Sequence, residues 1–166
     1  QSYRLSDIDF EANKKDGYGV DWPIRYQDIA PWYDHVEKFA GISGSHEGLT
    51  QLPDGIFLPA MKMNCVETDA KKKIEQAFPT RKMIIGRCAH LTKPTKEHLA
   101  LGRGKCQNRN ECERGCSFGA SFSSLSATLP AAKRTDNLTI VTDAIVHNVL
   151  YDNSLKRATG VQIIDA

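Results

Sequence analysis

DWPIRYQDIAPWYDHVEKFAG, residues 21–41, carries the clearest periodic signal in the first half of the chain. Trp22-Pro23-Ile24 introduces a helix. Ile29, Trp32, Tyr33, Val36 and Ala40 then recur at helical spacing, which predicts one apolar stripe with Trp32 and Tyr33 packed into a core. Asp28 lies near the start, where a carboxylate suits the free N–H groups. Pro31 is expected in the first turn, where a missing N–H costs nothing. Gly41 supplies the stop.

Upstream, Gln1 to Trp22 is polar with scattered aromatics and reads as mostly irregular. Downstream, Gly41 to Met63 is rich in Gly, Ser and Pro and reads as a long connecting loop. Val66, Ala70, Ile74 and Ala77 predict a second helix, which Pro79 ends. The run Lys71-Lys72-Lys73 falls on that helix as a solvated face. Met83, Ile84 and Ile85 predict a short buried strand over Lys82–Gly86. Leu91 to Lys105 is polar and loop-like. Phe118, Phe122, Leu125, Leu129 and Ala132 repeat at helical spacing, with Pro130 expected to kink or shorten that helix. The period then changes. Leu138–Thr142, Ala144–Tyr151 and Ala158–Ile164 read as three strands, the last two joined by the turn Asp152-Asn153-Ser154. The fold class is therefore α+β, with a helical and irregular first half and strands in the last third. The strand–helix alternation of a doubly wound sheet is missing, and so is the Gly-x-Gly-x-x-Gly turn that cradles a dinucleotide pyrophosphate.

Composition removes several classes. The 166 residues suffice for a core, and with 40% hydrophobic and 25% charged residues they match ordinary globular composition. A net charge of +2, from 22 Lys and Arg against 20 Asp and Glu, argues against a nucleic-acid or membrane-surface partner. No apolar run approaches the roughly 18 residues of a membrane span. The chain opens on Gln1-Ser2-Tyr3-Arg4 without a Met and closes on the strand-like run Val161 to Ala166. Both ends are expected to be interior to a longer protein, so an export signal would lie out of view, and periplasm and cytoplasm are not distinguished.

Five cysteines are present, Cys65, Cys88, Cys106, Cys112 and Cys116. An odd count argues against a complete disulfide framework. Cys106-x5-Cys112-x3-Cys116 puts three soft ligands in one loop, a pattern open to an iron–sulfur cluster or to Zn²⁺. The spacing departs from the C-x2-C of zinc knuckles. Cys88 or Cys65 is available as a fourth ligand. The alternative is one structural disulfide beside a free thiol.

Three blocks together resemble the glucose–methanol–choline (GMC) oxidoreductases. Asp21 to Asp34, continuing to Glu37 and Gly41, is similar to the family segment W-P-x-x-Y-x-D-L-x-P-Y-Y-x-x-x-E, with Ile29 for Leu and Trp32 for Tyr. The segment from Cys106 through Cys112 and Cys116 to Gly119-Ala120 resembles a cysteine-bearing segment of the bacterial sugar and polyol dehydrogenase branch. Leu129-Pro130-Ala131-Ala132, Asn137 to Thr142, Val146 and Ala158-Thr159-Gly160-Val161 resemble L-P-x-A … N-L-x-V-x-T-x-x-x-V … A-x-G-V. The blocks occur in family order over nearly the whole chain.

The resemblance implies an incomplete piece of a two-domain fold. Residues 1–117 would belong to the substrate-binding domain, and 118–166 would return to the FAD-binding domain. It implies FAD as cofactor and an alcohol, sugar or polyol as substrate, with dehydrogenases favoured over oxidases. It implies that Val146 lies against the FAD adenine through its backbone. It places the glycine-rich FAD fingerprint before Gln1 and the catalytic His after Ala166, so none of His35, His46, His90, His98 and His147 is assigned as base and no catalytic residue is expected here. The chain alone is expected to be inactive. Some relatives carry a small iron–sulfur cluster that passes electrons to a cytochrome, and Cys106, Cys112 and Cys116 would suit a three-iron cluster. Two other classes stay open: a non-catalytic binding or structural module, and a thiol- or metal-binding protein built on the cysteine loop.

Overall fold

The computed structural model describes residues 2–165. The chain divides into two compact units, Gln1–Ala131 and Ala132–Ala166. The fold class is the expected α+β: helices through most of the chain and two antiparallel strands at its C-terminal end.

The first unit begins with order where irregular chain was expected. Helices α1 (Asp7–Phe10) and α2 (Ala12–Asp16) form there. Ser6 accounts for the first: its N–H donates to Asp9 Oδ2 at 2.7 Å, closing the turn locally. Phe10 at its end is buried and meets Trp22 edge-on. Such short turns leave no periodic signal in sequence.

Helix α3 spans Tyr26–Ala40 and ends as expected at Gly41, which adopts the left-handed conformation (φ 77°). Asp28 reaches back to accept the Arg25 N–H at 2.8 Å. Two expectations fail. The helix starts earlier than its apolar stripe, so Pro31 lies inside it, beyond the first turn. Trp32 and Val36 are exposed, at 68% and 57%, while Glu37 and Ala40 are buried. The inward face is built around a charge. Arg4 donates from Nε to Glu37 Oε1 at 2.9 Å and from NH2 to Glu37 Oε2 at 2.6 Å. It also pairs with Asp34 and reaches Tyr26 Oη at 2.8 Å. The Ile56 N–H adds a third donor to Glu37, at 2.9 Å. A buried carboxylate needs such partners, because breaking one side of a buried pair costs about 3–5 kcal/mol.

Helix α4 spans Cys65–Ala77, as its periodicity predicts, and opens with a reciprocal cap between Asn64 and Glu67. The lysine run is on its surface, with Lys71 paired to Glu75 and Lys73 to Asp69. Lys82–Gly86 forms no strand; Lys82 is exposed and Met83 to Gly86 are half-buried. Pairing starts just beyond it, where Cys88 and Ser43 exchange backbone bonds of 3.1 and 2.8 Å. The polar stretch after Leu91 contains helix α5 (Lys96–Ala100), which places His98 on a helix and buries it. His98 Nε2 bonds the Lys38 carbonyl at 3.0 Å and Nδ1 accepts the Thr95 N–H at 3.1 Å, so the ring fastens α5 to the end of α3.

The helix expected from Phe118 begins only at Ser124. A π-helical turn, Ser124–Thr128, runs into α6 (Leu129–Lys133), and Pro130 sits in the first turn of α6. Residues before it are drawn into pairing with a distant segment. Leu91 N–H donates to Ala120 O at 3.0 Å and Phe122 N–H to Ala89 O at 3.0 Å. Tertiary pairing overrides the local helical spacing there.

In the second unit, β1 (Ala144–Asp152) and β2 (Arg157–Asp165) form an antiparallel hairpin. Asp152 Oδ1 accepts the Ser154 and Leu155 N–H groups and shapes the expected turn. The strand expected over Leu138–Thr142 does not form among the described residues. It has no partner ladder, and Asp143, at φ 56°, turns the chain before β1.

Two consequences are measurable. A Cβ at position 41 would lie 2.1 Å from Leu91 Cδ2, on a residue already held at positive φ. Gly41→Ala should cost about 3 kcal/mol, from left-handed strain plus overpacking. Urea denaturation reads this directly, and a loss under about 1 kcal/mol would contradict the packing described. The second concerns Asp54. Burial pushes its carboxyl up, but the Glu47 and Gly48 N–H donors with the Arg87 and His46 charges outweigh it and hold the group below the ordinary carboxylate range. Its folded-state pKa is thus below its unfolded value. The stabilisation is full above roughly pH 4 and is lost as acid titrates the folded group. Asp54→Asn should flatten the fall of melting temperature between about pH 5 and pH 2. A variant whose acid limb matches the natural chain would sink the assignment.

Candidate functional site

Two places gather chemistry, one in each unit. The first is the loop Cys106–Cys116. All five cysteines are free thiols. Cys106, Cys112 and Cys116 line one small cavity of about 30 Å³, together with Arg109 and Phe118. Arg109 braces the loop, donating to Ser117 Oγ at 3.1 Å, pairing with Glu111 at 3.2 Å and lying over the Phe118 ring. The Cys116 thiol is held below its usual range by the Ser121 N–H, against the upward push of burial and with further help from the Phe118, Ala120 and Gly119 N–H groups. The donors are therefore soft and one of them is prepared for the anionic form. The geometry is less complete: among the described residues, no three His, Cys, Asp or Glu side chains come together as a metal-binding set. As they stand, the thiols share a cavity and do not converge on one point. Cys65 and Cys88 do not line that cavity. The loop contains two non-glycine residues at positive φ, Asn108 and Asn110, and Gly115 at φ 94°, so its path is set by turns and not by a helix or strand.

A broader pocket of about 630 Å³ adjoins it. Cys112 and Cys116 lie on its border, with Ser121, Ser126, Phe122 and Leu125 on its wall. Ser126 Oγ donates to Ser121 O at 3.0 Å and its N–H to Ser123 Oγ at 3.1 Å, so these hydroxyls hold the π-helical turn.

The second place is β1. Val146 lies in this strand and is 59% exposed. Among the described residues β1 pairs only with β2, so its other edge carries backbone N–H and C=O groups that meet no further strand. The ladder is irregular on either side of its middle, between Val146 and Asn148 and between Leu150 and Tyr151. Bulges of this kind concentrate at sheet edges and beside binding sites. An open strand edge offers backbone donors and acceptors to a further group.

The five histidines lie at separate places in the chain. Both nitrogens of His98 are taken. His46 Nε2 meets Gly55 O at 2.9 Å. His90 is half-buried, and that burial lowers its pKa. His35 and His147 are exposed on α3 and β1. Sequence reasoning missed the Arg4–Glu37 centre, although Glu37 closes the first family block; an acid one position off the apolar stripe was the available signal.

The chain belongs to the GMC oxidoreductase family, whose model matches residues 18–166. Members of this family are FAD oxidoreductases acting on CH–OH groups. No curated protein matches the chain.

Proposed function

We propose that residues 1–166 form the substrate-side scaffold and one edge of the FAD site in a dehydrogenase that oxidises an alcohol group of a sugar or polyol. The observation that carries this is the open edge of β1 at Val146 in a chain matched to the GMC family over residues 18–166. In this reading residues 1–117 belong with the substrate-binding domain and 118–166 with the FAD-binding domain. FAD, when bound, supplies the hydride acceptor for the alcohol carbon. The Val146 backbone holds the adenine end of that cofactor. The alcohol proton needs a general base, and the pairing of His98 and His46 supports a base outside these residues. The bacterial sugar and polyol branch is favoured by the Cys106–Cys116 segment, and a cytochrome is the electron-transfer partner that branch implies.

The test separates scaffold from catalyst. The enzyme that carries this chain should show the flavin spectrum, and a sugar or polyol should bleach it under anaerobic conditions. Residues 1–166 alone, with added FAD, should reduce no dye in the presence of the same alcohols. Dye reduction by the chain alone would overturn the division of labour, and a carrier enzyme without flavin would overturn the function.

We further propose that Cys106, Cys112 and Cys116 take an iron–sulfur cluster with three protein ligands once the loop closes. The shared cavity and the anion-favouring surroundings of Cys116 support this, and the open spacing of the thiols requires the closure. The carrier enzyme should contain iron and acid-labile sulfide and absorb beyond the flavin bands, and Cys112→Ser should lower its iron content at least several-fold. A carrier free of iron, with the thiols paired or titratable, would leave the loop as a structural element only.

A further inference from the structure

We infer that His147, an extra residue in β1, sets the phase of the strand so that the Val146 N–H and C=O face its open edge, and that it is thereby the positioning residue for the adenine contact. The inference rests on the adenine role proposed above for Val146.

The phase of β1 can be read from two hydrogen bonds. The Val149 N–H is accepted by Asn148 Oδ1 at 2.9 Å, a partner from its own strand, which puts Val149 in the set facing away from β2. The Leu150 carbonyl accepts Thr159 Oγ1 of β2 at 3.3 Å, which puts Leu150 in the set facing β2. The two assignments agree with the alternation of an antiparallel strand. In an unbroken strand that alternation would carry back to place His147 outward and Val146 toward β2.

The pairing does not run unbroken. Val146 is opposite Ile163 and Asn148 is opposite Gln162, so His147 has no opposite number on β2. Facing and non-facing pairs still alternate across the bulge. Asn148 with Gln162 faces inward, so Val146 with Ile163 is the next pair whose backbone groups point out. The extra residue moves Val146 from the ladder to the edge. A compensating irregularity follows: Leu150 is opposite Gly160 and Tyr151 opposite Ala158, which leaves Thr159 as the extra residue on β2. Register is restored at both ends of the hairpin, and only the middle is shifted.

An outward residue presents one donor and one acceptor in the same direction. Adenine offers the matching pair, the N1 acceptor and the N6 amino donor. Beyond Val146, the next outward N–H, at Val149, is already taken by Asn148, so an added strand would find no ladder there. Toward the Asp152 turn the ladder is interrupted at Val149, and Val146 is the last outward residue before that break, a short site that suits a flat ring.

The test uses the full chain, ¹⁵N-labelled, with ADP as probe and N6,N6-dimethyl-ADP, which lacks the amino donor, as control. Without nucleotide, the Val146 amide should exchange faster than that of Asn148. ADP should shift the Val146 amide and slow its exchange, and the dimethylated analogue should do neither. Inserting one Ala between Gln162 and Ile163 gives His147 a partner and restores simple alternation. That variant should protect the Val146 amide without nucleotide and weaken ADP binding about tenfold. A Val146 amide protected in the natural chain, or an insertion variant that binds ADP as tightly, would overturn the role of His147. Fast exchange at Val146 with no ADP shift anywhere on β1 would overturn the proposal through its adenine premise, with the strand phase left standing.

Discussion

Arg103 is fully buried, and the acceptors of its guanidinium are backbone carbonyls: Gly119 at 3.0 Å, Phe39 at 3.3 Å, Ala40 at 3.0 Å and Ala120 at 3.5 Å. Burial lowers its pKa, yet a guanidinium stays charged under any ordinary condition. Two of those carbonyls belong to the last turn of α3, where helix geometry leaves acceptors without donors and the dipole favours a cation. The other two belong to the segment paired with residues 89–91. One side chain therefore ties the end of the long helix to a stretch that forms no regular sheet. Arg4 and Arg87 do related work. Arg87 donates to Pro53 O and Asp54 Oδ1, both at 2.7 Å, and closes the loop between α3 and α4 over Phe57. The fully apolar core is small, chiefly Phe10, Ala40, Ile42, Leu91, Ala120 and Ala127. With so little sheet, backbone groups must find side-chain partners, and the buried arginines provide five donors each.

This explains which parts of the fold the sequence could disclose. Helices α3 and α4 and the hairpin were legible because each has a period, a cap or a turn signal within its own residues. Gly41 was legible because a helix end at positive φ calls for glycine. The face of α3 was misread because apolar spacing is blind to a buried ion pair: Val36 fits the stripe and points out, while Glu37 breaks it and points in. The strand over Leu138–Thr142 has the right residues and no partner, and strand propensity describes fit to a neighbour more than a preference of the chain itself. The segment 118–123 has helical spacing but donates and accepts across to residues 89–91, and no local pattern encodes that choice.

The candidate sites divide along the same line. The cysteine loop was visible because its chemistry lies in side chains, and thiols at close spacing are rare. What the spacing leaves open is whether the sulfurs converge, since that depends on turns at Asn108, Asn110 and Gly115. The adenine contact proposed for Val146 is the opposite case. Val146 as a residue type says nothing, since its side chain takes no part, and only the family block pointed to it. The role proposed for it belongs to a peptide group whose direction depends on a residue count across two strands.

That dependence constrains how such a site can vary. Side chains at 145–151 and 157–164 are exposed on this hairpin and can change with little effect on backbone direction. A single insertion or deletion near Val146 cannot, because it moves every peptide group beyond it between ladder and edge. The paired irregularities at His147 and Thr159 cancel, so the ends of the hairpin and its Asp152 turn are unaffected by the shift in the middle. A change in either bulge must then be matched by the other if the register at both ends of the hairpin is to persist. A backbone-borne contact trades one constraint for another: it frees residue identity and fixes register.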